Sequence, residues 1–415
     1  MNYALARKDV SGDFVFRLLF LNMGLVIVGY ALGVLTDMAS VEPMRIVKYS
    51  VLLMSILFVL KRKLFILRML SNCMQGLLVL SLLFAFFGLL TANPLTSFLK
   101  VLTHVVPFLY VAFSVGYLLF LHPTRQVFHA FISAINWVYL IPVVSYFITG
   151  GGLTDTNIYD VYDKNEDSAF VSNHYGWSST IFLLTSLDLL RNVSLHWLRK
   201  ILLIVVGVVA VYLVLISGNR TSWLSLSLVA LVFVFKYRRI PFYQKVLLSL
   251  LPIGLVLYLL KDPDSAINAR FEKTRVQQKK GEPRSEKSMK IITYFNSVPS
   301  LWVTGIGMFN NEQVKIIIGW PGFHNSYYEV LFGAGVPVFL FFFYLIVIRP
   351  GWYYIRYFAV RYLFFLPLLV IPFFESNLTG GQFLFFPWFI MAILIGYSRS
   401  FAKIKLAIKS LSPAP

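Results

Sequence analysis

The sequence is poor in charged residues. Only 13% of the 415 residues are Asp, Glu, Lys or Arg, whereas a soluble globular chain carries about a quarter. Hydrophobic residues make up 58% of the chain, including 39 phenylalanines, and the mean hydropathy is +0.74. One water-soluble core could not bury this much apolar surface. The composition therefore excludes an ordinary soluble domain and makes lipid the solvent for much of the chain.

Cysteine and acidic residues are also scarce. The single cysteine, Cys73, excludes an intramolecular disulfide and a cysteine-rich metal site. The chain has 18 acidic and 37 basic residues, which gives a net charge of +19. The basic residues punctuate apolar runs instead of forming one stripe with interleaved aromatics, so we expect no nucleic-acid partner. No Walker loop, zinc-type His-Glu helix or Gly-x-Ser-x-Gly turn is present.

Long apolar runs, in contrast, occur along most of the chain. A membrane-spanning helix needs about 20 mostly apolar residues, and twelve segments approach this length. We therefore predict an all-α integral membrane protein with about 12 transmembrane helices, formed by one polytopic domain over residues 1–415. The second segment is short and the sixth is rich in serine and threonine, so we expect either to be tilted or to line the protein interior. The segments lie at approximately 15–35, 45–60, 74–92, 98–121, 128–148, 173–190, 201–217, 221–236, 243–260, 325–348, 355–374 and 382–398.

The distribution of Lys and Arg predicts how these helices are oriented, because short cytoplasmic loops carry an excess of positive charge. With both termini inside, 22 of the 37 basic residues fall in predicted cytoplasmic segments and five in short outer loops. The other ten lie in one long outer loop, where the rule has little force. We therefore predict that both termini are cytoplasmic.

Two segments on the predicted outer face are too polar to span a membrane. Residues 149–172 form an acidic loop that lacks the regular ligand spacing of a calcium site. Residues 261–324 form the long basic loop. We expect neither to fold as a separate domain, since the first is too short and the second too polar for a core of its own. Both are predicted to act as lids on the membrane-embedded body.

Short helices are predicted within the long basic loop, at 264–276 and 284–297. The second carries apolar residues at helical spacing with basic residues beside them, namely Met289, Ile292, Phe295, Lys287 and Lys290. This pattern is typical of a helix that lies at the membrane interface, with its basic side toward head groups or an anionic substrate.

Arg220 lies in a short Ser-Gly-Asn-Arg-Thr break between two apolar runs. A permanent cation near the membrane boundary is costly unless it has a partner, and Gly218 permits the tight turn that places it there. The guanidinium fork matches phosphate oxygens two at a time, so one interpretation is a phosphate or diphosphate clamp. The alternative is a loop arginine that extends to water or pairs with a nearby carboxylate.

His324 lies where the long basic loop meets the tenth predicted span. The positive end of the helix dipole at this position favours the neutral imidazole, which is the form that a general base requires. The alternative is a histidine that caps the helix or packs at the interface.

Two carboxylates on the same predicted side are further candidates. Glu329 falls within the tenth span and Glu375 at the outer end of the eleventh. An ionisable group within a span is a functional hypothesis by default, although many such groups simply pair with an arginine.

The order of these motifs resembles a known family. The Ser-Gly-Asn-Arg-Thr turn is followed by the basic loop with Gly-Ile-Gly at 305–307, and then by His-Asn-Ser-Tyr at 324–327 before a span with Gly333 and Gly335. Over about residues 200–395 this is similar to the O-antigen ligase and polymerase superfamily of bacterial envelope glycosyltransferases. The predicted twelve-span topology extends the resemblance to the whole chain.

The resemblance implies an inverting, metal-independent transfer of a glycan from undecaprenyl diphosphate to an acceptor hydroxyl, without a cofactor. The protein would lie in the bacterial inner membrane with its active site facing the periplasm. His324 would be the general base, and Arg220 would bind the diphosphate together with Arg284 and Arg275 of the basic loop. Further candidates for substrate binding are Asn325, Tyr328 and Glu375.

Several functions are compatible with these motifs. The first is a ligase that joins finished O-antigen to lipid A–core. The second is a polymerase that extends lipid-linked repeats of O-antigen, capsule or exopolysaccharide. A transporter or flippase without covalent chemistry would be expected to show internal repeats and broken helices near the bilayer centre, and no repeat is visible between the two halves. A scaffold protein would not need a histidine and an arginine on one membrane face.

Overall fold

The computed structural model describes residues 53–61, 74–91, 124–148, 172–236, 283–319 and 325–349, with isolated residues between them. The described residues form helices and no strand. Seven of the predicted spans coincide with these helices, whereas 15–35, 98–121, 243–260, 355–374 and 382–398 lie wholly or largely outside the described residues. The helices with defined bounds are α1 (Met74–Leu89), α2 (Thr124–Ile148), α3 (Ser172–Asn192), α4 (Trp197–Ile216), α5 (Arg220–Lys236), α6 (Pro283–Ser297), α7 (Leu301–Thr304), α8 (Asn311–Ile318) and α9 (Ser326–Phe343), which continues as a π-helical turn, Tyr344–Ile348.

In the described part of the chain, three stretches of helix are long and apolar enough to cross a membrane: His129–Ile148, Trp197–Ile216 and Ser326–Ile348. At 1.5 Å per residue, a 20-residue helix such as α4 is about 30 Å long, which is the thickness of the hydrocarbon core of a bilayer. The described part of the protein is therefore all-helical and contains candidate membrane-spanning helices, as predicted. The number of spans and their orientation stay predictions.

Helix α3 is the centre of one group of helices, in which it packs against α2, α4 and α5. Its serine and threonine side chains are fully or almost fully buried: Ser178, Ser179, Thr180, Thr185 and Ser186. This segment was predicted either to be tilted or to line the protein interior, and its buried side chains show that it lines the interior. Asn136 of α2 joins the helices by donating hydrogen bonds from Nδ2 to the hydroxyls of Thr185 and Ser186, each 2.9 Å long. Buried polar contacts of this kind help to hold helices together in a membrane, where burial of apolar surface provides little driving force.

Helix α4 presents an apolar face to its surroundings. Ile201, Val205 and Val208 follow one another at helical spacing and are 51%, 55% and 68% exposed. Because side chains at i, i+4 and i+7 lie on one side of a helix, they form a continuous apolar stripe. In a membrane this stripe is satisfied by lipid.

A second group of helices is built around Phe332 of α9. Its ring lies 5.0 Å from that of Phe295 in α6, 5.5 Å from that of Phe323 and 5.4 Å from that of Tyr328, measured between centroids. Ile306 and Val314 belong to the same buried cluster. The second half of the long basic loop is thus tied to the first turns of α9 by aromatic packing.

Helix α9 is broken at Gly335, where the backbone adopts φ 80° and ψ 170°. Pro337 has no N–H, so the Gly333 carbonyl four residues earlier has no helical donor. The loop before α8 supplies the missing donors, because Ile306 N donates to Phe332 O (2.9 Å) and Gly307 N donates to Gly333 O (3.0 Å). Non-helical backbone at membrane depth is tolerated only where other protein groups satisfy it in this way.

The Gly-Ile-Gly stretch fits this break because its two glycines lack side chains. Gly305 and Gly307 have φ angles of 66° and 91°, which disfavour any residue with a Cβ. A Cβ on Gly305 would also overlap the Gly333 carbonyl, and one on Gly307 would lie 2.5 Å from Thr91. The loop is therefore wedged between the end of α1 and the break in α9, and Met308 N donates to Phe87 O of α1 (3.1 Å).

The predicted helices of the long basic loop are found with one correction. The helix predicted at 284–297 corresponds to α6, and residues 268, 272 and 275 within 264–276 are helical. The buried face of α6 consists of Ile291 and Phe295, whereas Met289 is 61% exposed. Of the expected apolar stripe, Phe295 is buried and Ile292 packs against the cluster around Phe332, so only Met289 departs from the prediction. Helices α7 and α8 were not predicted.

Candidate functional site

The turn between α4 and α5 presents Arg220 on a rigid support. Gly218 has a φ of 60° and reverses the chain. Asn219 is 3% exposed and caps α5, since its Oδ1 accepts from Thr221 N (2.9 Å) and Ser222 N (3.3 Å). On the other side of the turn, the Ser217 hydroxyl donates to Val214 O (2.8 Å). Asparagine is among the best residues for capping a helix N-terminus, so the sequence itself defines the start of α5 at Arg220.

A tryptophan and a glycine fasten this turn to the neighbouring helices. Trp223 Nε1 of α5 donates to Val214 O in the last turn of α4 (2.7 Å). Gly176 of α3 lies so close to the turn that a Cβ there would be 2.6 Å from Ser217 Oγ and 2.8 Å from Ser222 Oγ. The turn is thus held from two sides, while Arg220 itself is exposed.

Replacement of Gly176 by alanine is expected to lower the thermal unfolding temperature, because the added methyl displaces the turn that carries Arg220. Overpacking of this kind typically costs about 1–3 kcal/mol. Gly207→Ala in α4 is the matched control, since the nearest atom to its added Cβ, Leu183 Cδ2, lies 3.8 Å away. Alanine favours a helix by about 1 kcal/mol over glycine, so this control should be neutral or stabilising. Equal melting temperatures for the two variants would contradict the close packing at Gly176.

The Arg220 guanidinium is available for a ligand. It makes no hydrogen bond or ion pair with any residue in the described part of the chain. The turn lies at the opposite end of α4 from Lys200, which stands in the first turn of the same helix, about 24 Å away. A fixed backbone with an exposed planar cation is the arrangement that phosphate recognition requires.

The other half of the candidate site is the start of α9. Asn325 is 8% exposed and caps the helix, since its Oδ1 accepts from Tyr327 N (2.9 Å) and Tyr328 N (3.2 Å). Asn325 thus has a structural role that accounts for its position without a ligand. Phe323 packs on Phe332. His324, between these two anchored residues, lies outside the described residues.

A small depression with a cavity volume of about 10 Å3 lies beside these first turns of α9. We call it the Glu329 cleft, after the half-buried carboxylate in its wall. The residues that line it come from the loop before α8, from α8 and from α9: Gly307, Phe309, Asn310, Asn311, Val314, Phe323, Glu329 and Gly333.

The remaining predicted site residues are placed as follows. Tyr328 is half-buried with its ring against Phe332. The exposed side chain of Arg275 lies 3.6 Å from Glu272 Oε1, measured from Nη1, and such surface pairs contribute little energy. Arg284 is in the first turn of α6, but its side chain lies outside the described residues, as does Glu375.

The basic side of α6 is partly neutralised by the helix itself. Lys290 Nζ lies 2.8 Å from Glu286 Oε1 one turn earlier, and both side chains are more than half exposed. The hydrogen bond and charge of Lys290 hold the pKa of the Glu286 carboxyl below its usual value. Among the described residues, no three histidine, cysteine or acidic side chains lie close enough to hold a metal ion.

The described residues fall into two parts of the candidate site. Arg220 and Gly176 belong to the group of helices around α3, whereas Asn325, Tyr328 and Glu329 belong to the group around Phe332. Sequence patterns did not single out Gly176, Asn311 or the fully buried Asp188 of α3. Of these three, only Asp188 could have been found from the sequence, because it is an ionisable residue within a predicted span.

Comparison with known proteins identifies the segment that carries both parts. Residues 205–343 match the family model of the O-antigen ligase. No curated protein matches the chain. The matched segment begins in α4, includes Arg220 and the whole basic loop, and ends with α9. Over residues 205–343 this match confirms the resemblance to the O-antigen ligase and polymerase superfamily that the motifs indicated.

Proposed function

We propose that the protein is an O-antigen ligase that transfers a glycan from undecaprenyl diphosphate to a hydroxyl of lipid A–core, on the periplasmic face of the inner membrane. The observation that carries this proposal is the O-antigen ligase match over residues 205–343. Within that segment, Arg220 stands exposed on a turn that Asn219, Trp223 and Gly176 hold in place. The family supports glycan transfer of the ligase or polymerase type, and its description as a ligase favours the first.

The reaction is a single displacement at the anomeric carbon of the donor sugar. His324 takes the proton of the acceptor hydroxyl as general base. The acceptor oxygen attacks the anomeric carbon from the side opposite the diphosphate, so the configuration inverts. The bond from the anomeric carbon to the diphosphate oxygen breaks, and its electron pair leaves with undecaprenyl diphosphate.

In this proposal Arg220 stabilises the leaving group. Negative charge develops on the diphosphate oxygen that was bonded to the anomeric carbon as that bond breaks, and a guanidinium at a fixed position lowers the free energy of that transition state. A bidentate contact requires little reorganisation when the backbone below it is already held by a cap and two packing contacts. Arg275 and Arg284 of the basic loop are proposed as additional donors to the diphosphate.

Removal of divalent ions is expected to leave the rate unchanged, because in this proposal arginine side chains neutralise the diphosphate. EDTA should be added to purified protein with lipid-linked glycan and lipid A–core, and product formation followed by mass spectrometry. Loss of activity with EDTA and its recovery with a divalent ion would contradict the metal-independent mechanism.

The lipopolysaccharide of a deletion strain tests the proposed function in the cell. A ligase defect leaves full-length polymer on the lipid carrier and lipid A–core without O-antigen. Single repeats joined to lipid A–core would instead identify a polymerase. Unchanged lipopolysaccharide, with another envelope polysaccharide lost, would overturn the assignment to O-antigen.

A further inference from the structure

We infer that the groove between α2 and α4, at the end of α4 opposite to the Arg220 turn, binds the head group of an anionic phospholipid. Ser133 and Trp137 of α2 and Arg199 of α4 meet there, and we call it the Arg199 groove. It is about 25 Å from the Arg220 turn along α4, so it is no part of the diphosphate clamp. The inference does not depend on the proposed function.

Two contacts hold the Arg199 side chain across this groove. Its Nη2 donates a hydrogen bond to Ser133 Oγ (2.8 Å), and its Cζ lies 5.6 Å from the centroid of the Trp137 ring. The face of an aromatic ring attracts a guanidinium, and the bond to the hydroxyl fixes the direction of the planar fork. The half-buried side chain of Arg199 is thus oriented before a ligand arrives.

Neither contact neutralises the charge of Arg199. The serine hydroxyl and the indole ring are both neutral, and no carboxylate in the described part of the chain pairs with this guanidinium. A cation at the edge of the hydrocarbon region is costly unless it has a partner. The bond to Ser133 uses one N–H group of the guanidinium and leaves the others for an anion. A phosphate is an anion that the planar fork matches.

Two tryptophans place the Arg199 groove at the level of the lipid head groups. Trp137 is 45% exposed, and Trp197, the first residue of α4, is 60% exposed. Tryptophan is enriched where a membrane-spanning helix passes from hydrocarbon to head groups. Arg199 follows Trp197 by two residues, so its guanidinium lies at the depth of the lipid phosphates. The distribution of basic residues predicts that this is the cytoplasmic leaflet.

Apolar side chains continue from Arg199 toward the middle of both helices. On α4, the exposed Leu202 and the half-buried Val206 follow Arg199 at i+3 and i+7. On α2, the exposed Val144 follows Trp137 at i+7. Residues at these spacings lie on one side of a helix, so both walls of the groove are apolar beyond Arg199. The acyl chains of a lipid whose phosphate is at Arg199 would lie against them.

The charge at this end of the α3–α4 pair favours a lipid with a net negative charge. The exposed charged residues among 186–200 are Arg191 and Lys200, both basic, whereas Asp188 is fully buried. A zwitterionic lipid has the same phosphate, but these cations would repel its ammonium group. Basic clusters between helices at the cytoplasmic side of a membrane bind anionic head groups. Charge complementarity thus selects an anionic phospholipid.

Lipid titration of the delipidated full-length protein in detergent, followed by native mass spectrometry, tests the inference. We expect phosphatidylglycerol to bind more tightly than phosphatidylcholine, which has the same phosphate without a net charge. Arg199→Gln should weaken phosphatidylglycerol binding by about 10- to 100-fold, as for the loss of a hydrogen bond to a charged group. Lys200→Ala is the matched control, because it removes the neighbouring exposed cation, and it should weaken binding by no more than about fivefold.

Equal affinities of the wild type for the two lipids, or equal losses in Arg199→Gln and Lys200→Ala, would overturn the inference, since the cations would then attract lipid only through their general field. Phosphatidylglycerol should also raise the melting temperature of the wild type and of Lys200→Ala, because a ligand stabilises the state that binds it. The melting temperature of Arg199→Gln should not respond to the lipid. A purely structural role of Arg199 would lower the melting temperature and leave this response intact.

Photocrosslinking locates the lipid in the wild type, so it decides the inference even if Arg199→Gln does not fold. Phosphatidylglycerol with a photoreactive acyl chain would be incorporated into proteoliposomes, and the labelled residues identified by mass spectrometry. Labels are expected at Leu202 and Val144, and excess unlabelled phosphatidylglycerol should remove them. Ile204 and Val208 are the comparison, because they are exposed on the other side of α4, where any lipid reaches them. Equal labelling of both sides without competition would overturn the inference.

Discussion

Arg220→Ala is expected to reduce kcat by about 100- to 1,000-fold, which is the usual loss when one donor to a developing oxyanion is removed. The effect should be large because the guanidinium is exposed and has no protein partner among the described residues. The measurement is the initial rate of glycan transfer by purified protein at saturating acceptor.

Two control variants make the result specific. Arg220→Lys keeps the charge and loses the planar fork, so it should recover only part of the rate. Lys200→Ala removes an exposed cation at the opposite end of α4 and should leave the rate unchanged. A normal rate for Arg220→Ala, or full activity of Arg220→Lys, would contradict bidentate recognition of the diphosphate.

His324→Ala is expected to reduce kcat by about 100- to 10,000-fold, the range in which general bases contribute. Without a base, the acceptor hydroxyl must lose its proton to water or hydroxide. The residual rate should therefore rise with pH across the range in which the wild-type rate is level. A pH–rate profile of the variant in the purified system measures this directly.

His196→Ala serves as the control for this variant. His196 is exposed, precedes α4 and makes no side-chain capping hydrogen bond, so its loss should not affect transfer. Binding of the lipid-linked donor should also survive His324→Ala, since we propose that Arg220, and not His324, contacts the diphosphate. If His324→Ala turned over at the wild-type rate, the assignment of the general base would be wrong.

The helices and the Arg220 turn could be predicted because their signals are local. Apolar runs indicate where α4 and α9 lie, and a Gly-Asn pair between two such runs indicates a reversal followed by a capped helix. The order of the motifs also indicated the family, which the match over residues 205–343 confirms.

Contacts between distant residues could not be predicted from the same patterns. Gly176 lies about 40 residues before Ser217, and nothing near it in sequence shows that its missing side chain makes room for the turn. The exposure of Met289 could not be predicted for the same reason. The face of α6 that becomes buried depends on packing against Phe332, which lies more than 35 residues later in the chain.

The break in α9 could be predicted from the sequence only in part. Gly335 and Pro337 predict an interruption of the helix from local chemistry alone. The donors that satisfy the freed carbonyls, Ile306 N and Gly307 N, come from a loop that carries no polar side chain at those positions. The Glu329 cleft forms between that loop and α9, so it becomes visible only once the two are placed together.

The central claim is that the protein makes a new glycosidic bond at the expense of a lipid diphosphate. It is tested most directly by incorporating the purified protein into proteoliposomes with lipid-linked glycan and lipid A–core, and by counting both products by mass spectrometry. We predict one undecaprenyl diphosphate released for each lipid A–core that gains a glycan, with both products lost in Arg220→Ala and His324→Ala. Movement of intact lipid-linked glycan across the bilayer without either product would contradict the account.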